Sequence, residues 1–255
     1  MKLVFALFDS LNRLSLESYG SQSIKTPNFK RLSERCVTFD KHFVGSLPCM
    51  PARRDMQTGR LNFLHRSWGP LEPFDNSFPE ILHKADIYSH LVSDHYHYWE
   101  DGGLTYHNRY TTYEFIRGQE RDPWKAMVEP PWDRLKKMYH EKQYSEIPRS
   151  LYYHDIINRE YIKKEEDFCS VKCFDEGLEF LKNNSKAFRE AVLMEYPRKG
   201  VWVIGFTTGE VKGVIKEKVK IQMVNVFVPT TPNPTSGFLL LVPKSQIKPL
   251  NVKVL

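Results

Sequence analysis

The sequence predicts a mixed α/β fold with a mainly parallel sheet, followed by a small β-rich segment at the carboxyl end. The stretch Lys2 to Phe8 is a short, continuous apolar run, which is typical of a parallel strand covered on both faces. The stretch Leu151 to Asp167 carries apolar residues at helical spacing among charges, which predicts a helix packed on the sheet. From about Lys186 the pattern changes to short strands, which are predicted at Val201 to Thr207, Val219 to Val228 and Phe238 to Val242.

The composition indicates an ordinary globular protein. The 255 residues suffice for one large domain or two small ones, and 41% of them are hydrophobic. The net charge is +6, but residues from Phe188 onward hold ten Lys or Arg against four Glu, so residues 1–187 are balanced. We expect no nucleic-acid partner, because the basic tail lacks the aromatic platform that such binding uses. No run has membrane-spanning length and no signal-peptide pattern is present, so a cytoplasmic protein without a membrane span is expected.

A carboxylate directly follows the first predicted strand. Asp9 stands at the carboxyl end of that strand, where open α/β sheets bind ligands and where a hard divalent cation would find an oxygen. An Asp in this place is also a common helix cap, so its position alone leaves both roles open. Further along, a second strand is predicted at Val37 to Phe43, and a helix is predicted to begin after Ser77.

Two histidines follow the third predicted strand, which runs from Tyr88 to Ser93. Because alternate residues of an extended segment point the same way, His95 and His97 could face one ligand. The alternative is that both are ordinary surface or core histidines in an aromatic loop. The following segment, Trp99 to Trp132, is rich in aromatic residues, charges and prolines, and we expect it to be irregular and to shape a substrate pocket.

The most specific chemical pattern surrounds Cys49. Pro51 suits the first turn of a helix and Gly59 suits its end, so Cys49 is predicted to lie at a helix amino terminus. Arg53 lies one turn later on the same face, from which its guanidinium can reach back toward Cys49. The helix dipole and this guanidinium would together favour a bound oxyanion such as sulfate or phosphate. The alternative is a buried structural cysteine near a helix start.

The run Cys49-Met50-Pro51-Ala52-Arg53, followed by Thr58-Gly59-Arg60, resembles the signature of the sulfatase family in the alkaline phosphatase-like superfamily. In that family the cysteine is oxidised to formylglycine by a formylglycine-generating enzyme, and the aldehyde hydrate is the nucleophile toward sulfur. The resemblance implies a sulfuric ester hydrolase that acts on a small-molecule or glycan sulfate ester.

The resemblance also assigns roles to individual residues. It implies that Asp9 and the group derived from Cys49 bind a divalent metal, Ca²⁺ or alternatively Mn²⁺. It makes Cys49, Arg53 and His97 catalytic. The family commonly has Lys-x-His where this chain has His95 and His97, so both histidines are expected to bind the substrate, and a titratable group replaces an obligate cation.

The resemblance covers residues 1–187. It implies that these residues fold as an incomplete sandwich of the alkaline phosphatase-like type. Residues 188–255, a tail of unknown function, resemble the soluble part of an uncharacterised bacterial membrane-protein family related to continuous-vascular-ring proteins. The family's second metal-binding arm, an Asp followed by Asn or His, finds no match after Asp175, and central strands of the sheet are expected to be missing. The pattern therefore predicts a truncated or spliced chain, which could be inactive.

Two alternatives to a sulfate ester hydrolase follow from the same residues. A phosphonate or phosphodiester hydrolase of the same superfamily would use similar groups. A non-catalytic chimeric fragment would retain Cys49 as an unmodified thiol and bind no metal.

Overall fold

The computed structural model describes residues 2–9, 11–40, 42–100, 105–184, 200–206 and 237–239, with Lys2 and the last two ranges described as backbone only. The strands in these ranges are β1 (Lys2–Phe8), β2 (Tyr88–Ser93), β3 (Thr112–Phe115), β4 (Gly200–Phe206) and β5 (Gly237–Leu239). The helices are α1 (Pro27–Ser33), α2 (Cys49–Thr58), α3 (Phe78–Lys84), α4 (Trp132–Met138), α5 (Leu151–Arg159) and α6 (Cys169–Asn183). The chain therefore has the predicted mixed α/β character.

The strands form one mainly parallel sheet in the order β3-β2-β4-β1-β5. β1, β2, β3 and β4 run parallel, and β5 pairs antiparallel with β1 at the edge. Because the carboxyl ends of parallel strands lie along the same edge of a sheet, the segments that follow β1, β2 and β3 are brought to one side.

Helices cover both faces of β1, as the continuous apolar run predicts. Val4, Ala6 and Phe8 join a buried cluster that includes Cys173 of α6. Leu7 points to the other face, where it packs with Ala52 of α2. The period of two along the strand thus places α6 on one side of the sheet and α2 on the other.

The segment after residue 187 contributes the strand between β1 and β2. Val203 of β4 is in register with Phe5 on one side and Leu91 on the other. The prediction of a strand from Val201 is confirmed, but the expectation that central strands are missing is wrong at this position, because β4 fills the gap between β1 and β2. β5 matches the start of the predicted strand at Phe238, and the predicted strand at 219–228 lies outside the described residues.

Three further expectations need correction. The described residues of the predicted strand at 37–43 form no strand, and Phe39 and Phe43 are 40% and 78% exposed, so neither aromatic side chain is buried against a sheet. The predicted helix at 151–167 ends at Arg159 and is followed by a short 3-10 helix. The segment from Trp99 to Trp132 contains β3. In the described part of the chain, no helix is long and apolar enough to cross a membrane.

Candidate active site at the carboxyl ends of the strands

The candidate site begins at the amino-terminal end of α2. This helix starts at Cys49, as the sequence predicts, and ends where Gly59 adopts a left-handed conformation with φ of +69°. Pro51 lies in the first turn, where a missing N–H removes no helical hydrogen bond. Cys49 is therefore held at a helix end whose dipole favours an anion.

Arg53 lies one helical turn after Cys49 and contacts Asp9. Its Nη2 donates a hydrogen bond to Asp9 Oδ2 at 3.0 Å, and its side chain is 3% exposed. Burial raises the pKa of the Asp9 carboxyl, and the Arg53 charge opposes that rise. The pair joins the end of β1 to the first turns of α2, so these two predicted residues belong to one site.

Glu120, which no sequence pattern marks as a site residue, lies among the predicted residues. One ligand atom from each of Cys49, His97 and Glu120 lies within 4.8 Å of the other two, and the same is true of Asp9, His95 and Glu120. Burial raises the pKa of Glu120 to about 7. Glu120 therefore links the Cys49 end of the site to the Asp9 end.

The two histidines have different surroundings. His95 is 3% exposed and its Nδ1 lies 2.5 Å from Glu120 Oε2, at angles that make no hydrogen bond, so within the described ranges neither of its ring nitrogens is hydrogen-bonded. Burial lowers the pKa of His95 well below its usual value. His97 has a side chain that is 20% exposed, and its Nδ1 lies 2.6 Å from Glu100 Oε1.

The histidines are brought together by a turn and not by an extended segment. Residues Tyr96–Tyr98 form a 3-10 helix, yet the His95 and His97 rings still contact each other with centroids 5.3 Å apart. The expectation of an extended segment is wrong here, although both histidines lie in the site. His95 is directed toward the buried carboxylates, and His97 toward Cys49.

A network of hydrogen bonds holds the loop that carries Glu120. Asp122 accepts two hydrogen bonds from the Arg117 guanidinium, both at 2.7 Å, and one from Gly118 N at 2.8 Å. Asn158 of α5 donates to Asp122 O at 2.7 Å. These contacts fix Glu120 with φ of +52°, an uncommon conformation for a residue other than glycine. α5 therefore positions a site residue.

Glu120 can be identified only once β3 is known to pair with β2. It follows β3, a parallel neighbour of β2, so its loop starts at the same edge of the sheet as Asp9 and His95. The sequence does not predict β3, and without this strand Glu120 is one charge among many in an irregular segment.

The donors at this edge fit a divalent cation. Two carboxylates and an imidazole lie close together, and His95 Nε2, His95 Nδ1 and Glu120 Oε2 are buried without a hydrogen bond to any described residue. A buried polar atom without a partner is costly, and a cation would satisfy one of the two His95 nitrogens together with Glu120 Oε2. The Arg53 guanidinium on Asp9 limits the net negative charge of the group.

The remainder of the Cys49 signature is structural. Arg54 of α2 donates from Nε and Nη2 to the two oxygens of Asp75, at 2.7 and 2.8 Å. Thr58 Oγ1 donates to Arg54 O at 2.7 Å, and Arg60 Nε lies 3.6 Å from Asp75 Oδ1. These contacts anchor the carboxyl-terminal half of α2, so that Cys49 and Arg53 stand on a fixed helix.

The solved structures similar to this chain include the following three. A 2-O GAG sulfatase, BT1596, is 10% identical, with 81% of this chain and 35% of that chain covered and a TM-score of 0.47. BT4656, solved in complex with D-glucosamine-2-N,6-O-disulfate, is 14% identical, with 80% and 33% covered and a TM-score of 0.48. The phosphonate monoester hydrolase of Agrobacterium radiobacter is 17% identical, with 81% and 40% covered and a TM-score of 0.44. This chain thus spans only 33% to 40% of the length of these proteins.

Comparison with protein families identifies two segments. A family model described as "Protein of unknown function (DUF502)" matches residues 175–236, which agrees with the separate resemblance of the tail. A search of curated proteins found no match. The family model described as "Sulfatase" matches residues 2–188, which is more than half of the chain. The chain therefore belongs to the sulfatase family.

Proposed function

We propose that this chain is a sulfuric ester hydrolase that uses a formylglycine derived from Cys49 and a divalent metal. The observation that carries the proposal is the convergence of Cys49, Arg53 and Asp9 at one helix end, with Arg53 Nη2 3.0 Å from Asp9 Oδ2. The cysteine supplies a residue that can become a nucleophile, the guanidinium can stabilise an oxyanion, and the carboxylate can hold a cation.

Each residue has a chemical role in this proposal. Arg53 and the dipole of α2 attract the sulfate group and orient it above position 49. His97 lies beside Cys49 and can exchange a proton with the ester or the nucleophile, since its ring is fixed by Glu100. Asp9, with the oxygen of the modified residue 49, would hold Ca²⁺ or Mn²⁺. Such a cation polarises ester oxygens and favours an ionised nucleophile.

The Cys49 thiol itself is poorly suited to nucleophilic catalysis. Burial and the neighbouring Glu120 charge raise its pKa to about 12, so it is protonated at neutral pH. A protonated thiol attacks slowly, and the nearby Arg53 does not reverse the effect. Without a bound cation, the unmodified thiol is therefore a weak nucleophile.

The test is coexpression of the full chain with a formylglycine-generating enzyme. Mass spectrometry of the Cys49 peptide should show conversion to the aldehyde, and the converted protein should hydrolyse an aryl sulfate with added Ca²⁺ or Mn²⁺. Cys49→Ala and Asp9→Ala should abolish turnover, while Glu166→Gln, on an exposed ion pair, should leave it unchanged.

Two results would contradict the proposal. Turnover by Asp9→Ala would exclude Asp9 as an essential metal ligand. An unconverted thiol with no turnover would favour a non-catalytic fragment.

A parallel assay with an aryl phosphonate ester addresses the second candidate, a phosphonate or phosphodiester hydrolase. A higher kcat/KM on the phosphonate than on the sulfate would reassign the substrate class.

A further inference from the structure

Asp9, His95 and Glu120 form a group that the proposed mechanism uses only in part. Their ligand atoms lie within 4.8 Å of one another, and they come from three segments that follow β1, β2 and β3. Asp9 is 8% exposed, His95 is 3% exposed and the Glu120 side chain is 16% exposed. The group is therefore enclosed and is built by the topology of the sheet.

The local structure does not explain why His95 is buried without hydrogen bonds. It is almost completely buried, and neither ring nitrogen is hydrogen-bonded to a residue that the structure describes. Glu120 Oε2 is also buried without a hydrogen bond within that part of the chain, although it lies 2.5 Å from His95 Nδ1. A neutral imidazole nitrogen and a carboxylate oxygen each carry a lone pair, so these two buried atoms, grouped with Asp9, point to a cation that accepts both lone pairs.

The types of donor atom distinguish between metal ions. Ca²⁺ takes six to eight oxygen ligands, whereas imidazole nitrogen suits transition metals such as Zn²⁺, Fe²⁺ and Ni²⁺; Mn²⁺ is the transition-metal ion that shares the preference of Ca²⁺ for carboxylates. Asp9, Glu120 and His95 offer fewer oxygens than Ca²⁺ usually takes, and they add one imidazole nitrogen. This set of donor atoms fits a transition metal better than Ca²⁺.

We propose that Asp9, His95 and Glu120 together bind one transition-metal ion, in preference to Ca²⁺, with Glu120 supplying the second carboxylate. The proposal rests on the metal of the proposed function, and it does not require hydrolysis. It assigns His95 to the metal and leaves His97 for the ester.

The test measures Mn²⁺ binding to the chelator-treated full chain with Cys49 unmodified. Mn²⁺ is the probe because thiolates bind it weakly compared with Zn²⁺, so the four cysteines interfere little. Loss of the free Mn²⁺ electron paramagnetic resonance signal gives the affinity, and electron spin echo modulation reports a coordinated nitrogen. Calorimetry with Ca²⁺ gives the competing affinity.

We expect one Mn²⁺ site, with nitrogen coordination and with Ca²⁺ binding weaker by about tenfold or more. His95→Gln should abolish the nitrogen coupling, and Glu120→Gln should weaken Mn²⁺ binding by about 10- to 100-fold or more. Glu120→Asp, which keeps the charge, should retain part of the affinity. His65→Gln is the matched control, because His65 forms an exposed pair with Glu72 and should bind Mn²⁺ like the unmodified chain. Circular dichroism of each metal-free variant verifies folding.

The outcomes separate this inference from the proposed function. If Asp9→Ala loses Mn²⁺ but His95→Gln and Glu120→Gln do not, the metal remains with Asp9 and this inference is overturned. Ca²⁺ binding as tight as Mn²⁺ binding also overturns it. If Mn²⁺ binds as expected but Cys49 is never converted, the site stands and the hydrolase proposal fails.

Discussion

His90 on β2 is a buried imidazole outside the site. Its ring stacks on Phe180 of α6 with centroids 4.4 Å apart, and its Nδ1 lies 2.7 Å from Thr112 Oγ1. Burial lowers the pKa of His90 to about 4. Because the folded state holds this proton less tightly than the unfolded state, stability is fully present above pH 6.5 and is lost as the pH falls toward 4.

His90→Gln should therefore make stability less dependent on pH. Between pH 7.5 and 4.5 the variant should lose about 2 kcal/mol less of its unfolding free energy than the unmodified chain, after allowance for solvent screening. Urea unfolding at the two pH values measures the difference. His140→Gln, at an exposed histidine, is the control and should keep the original dependence. If the unfolding free energy of His90→Gln changes with pH as much as that of the unmodified chain, His90 does not titrate in this range.

Single residues were predictable where local chemistry defines them. Cys49 and Arg53 were found because four residues make one helical turn, and Asp9 because a carboxylate follows a buried strand. Glu120 was not predictable in this way, since its place depends on the pairing of β3 with β2 and on the hydrogen bonds of Asp122. Those contacts join residues that come close in space only when the whole sheet has formed.

At the level of elements, α2 depends on its attachment to Asp75. The Asp75 side chain is fully buried, pairs with Arg54 through both oxygens and also accepts a hydrogen bond from Glu72 N at 2.9 Å. Arg54 keeps its charge, and these hydrogen bonds and the Arg54 charge lower the pKa of Asp75 against the effect of burial. Removing one partner of such a pair leaves the other charge buried and uncompensated.

Asp75→Ala should destabilise the protein by about 3 kcal/mol or more, because Arg54 would lose its buried partner. Glu166→Gln, at an exposed pair with Lys164 3.7 Å away, should change stability by less than about 1 kcal/mol. Thermal unfolding of both variants measures the contrast. A similar small effect in both would mean that α2 is held by its apolar contacts alone.

Strand prediction succeeded or failed according to burial. β2 matches its predicted bounds, and five of its six residues are buried, although Ser89, His90 and Ser93 among them are polar. β3 was missed because its residues are exposed or half-buried at the edge of the sheet. The segment 37–43 has the composition of a strand but no sheet face to cover, and composition alone does not reveal whether a pairing partner exists.

For the whole molecule, the position of β4 connects the two family matches. The "Sulfatase" match ends at residue 188, yet the strand between β1 and β2 is Gly200–Phe206, which lies within the match of the second family. The two family resemblances therefore meet near residues 187 and 188. The division into domains 1–187 and 188–255 stays a prediction, and the sheet contains strands from both sides of it. Asp9 and His95 follow β1 and β2, so the spacing of the site depends on the strand that separates them.

Val203→Pro tests whether β4 is required for the fold and the site. Val203 pairs with Phe5 and Leu91, so proline would remove a ladder hydrogen bond in a strand that has neighbours on both sides. We expect loss of cooperative unfolding and of Mn²⁺ binding, measured by circular dichroism and by the Mn²⁺ resonance signal. Val203→Thr keeps the β-branched shape and the N–H, so it should retain both. If Val203→Pro unfolds cooperatively and binds Mn²⁺ like Val203→Thr, then β1 and β2 hold the site without β4, and the tail is dispensable for this half of the molecule.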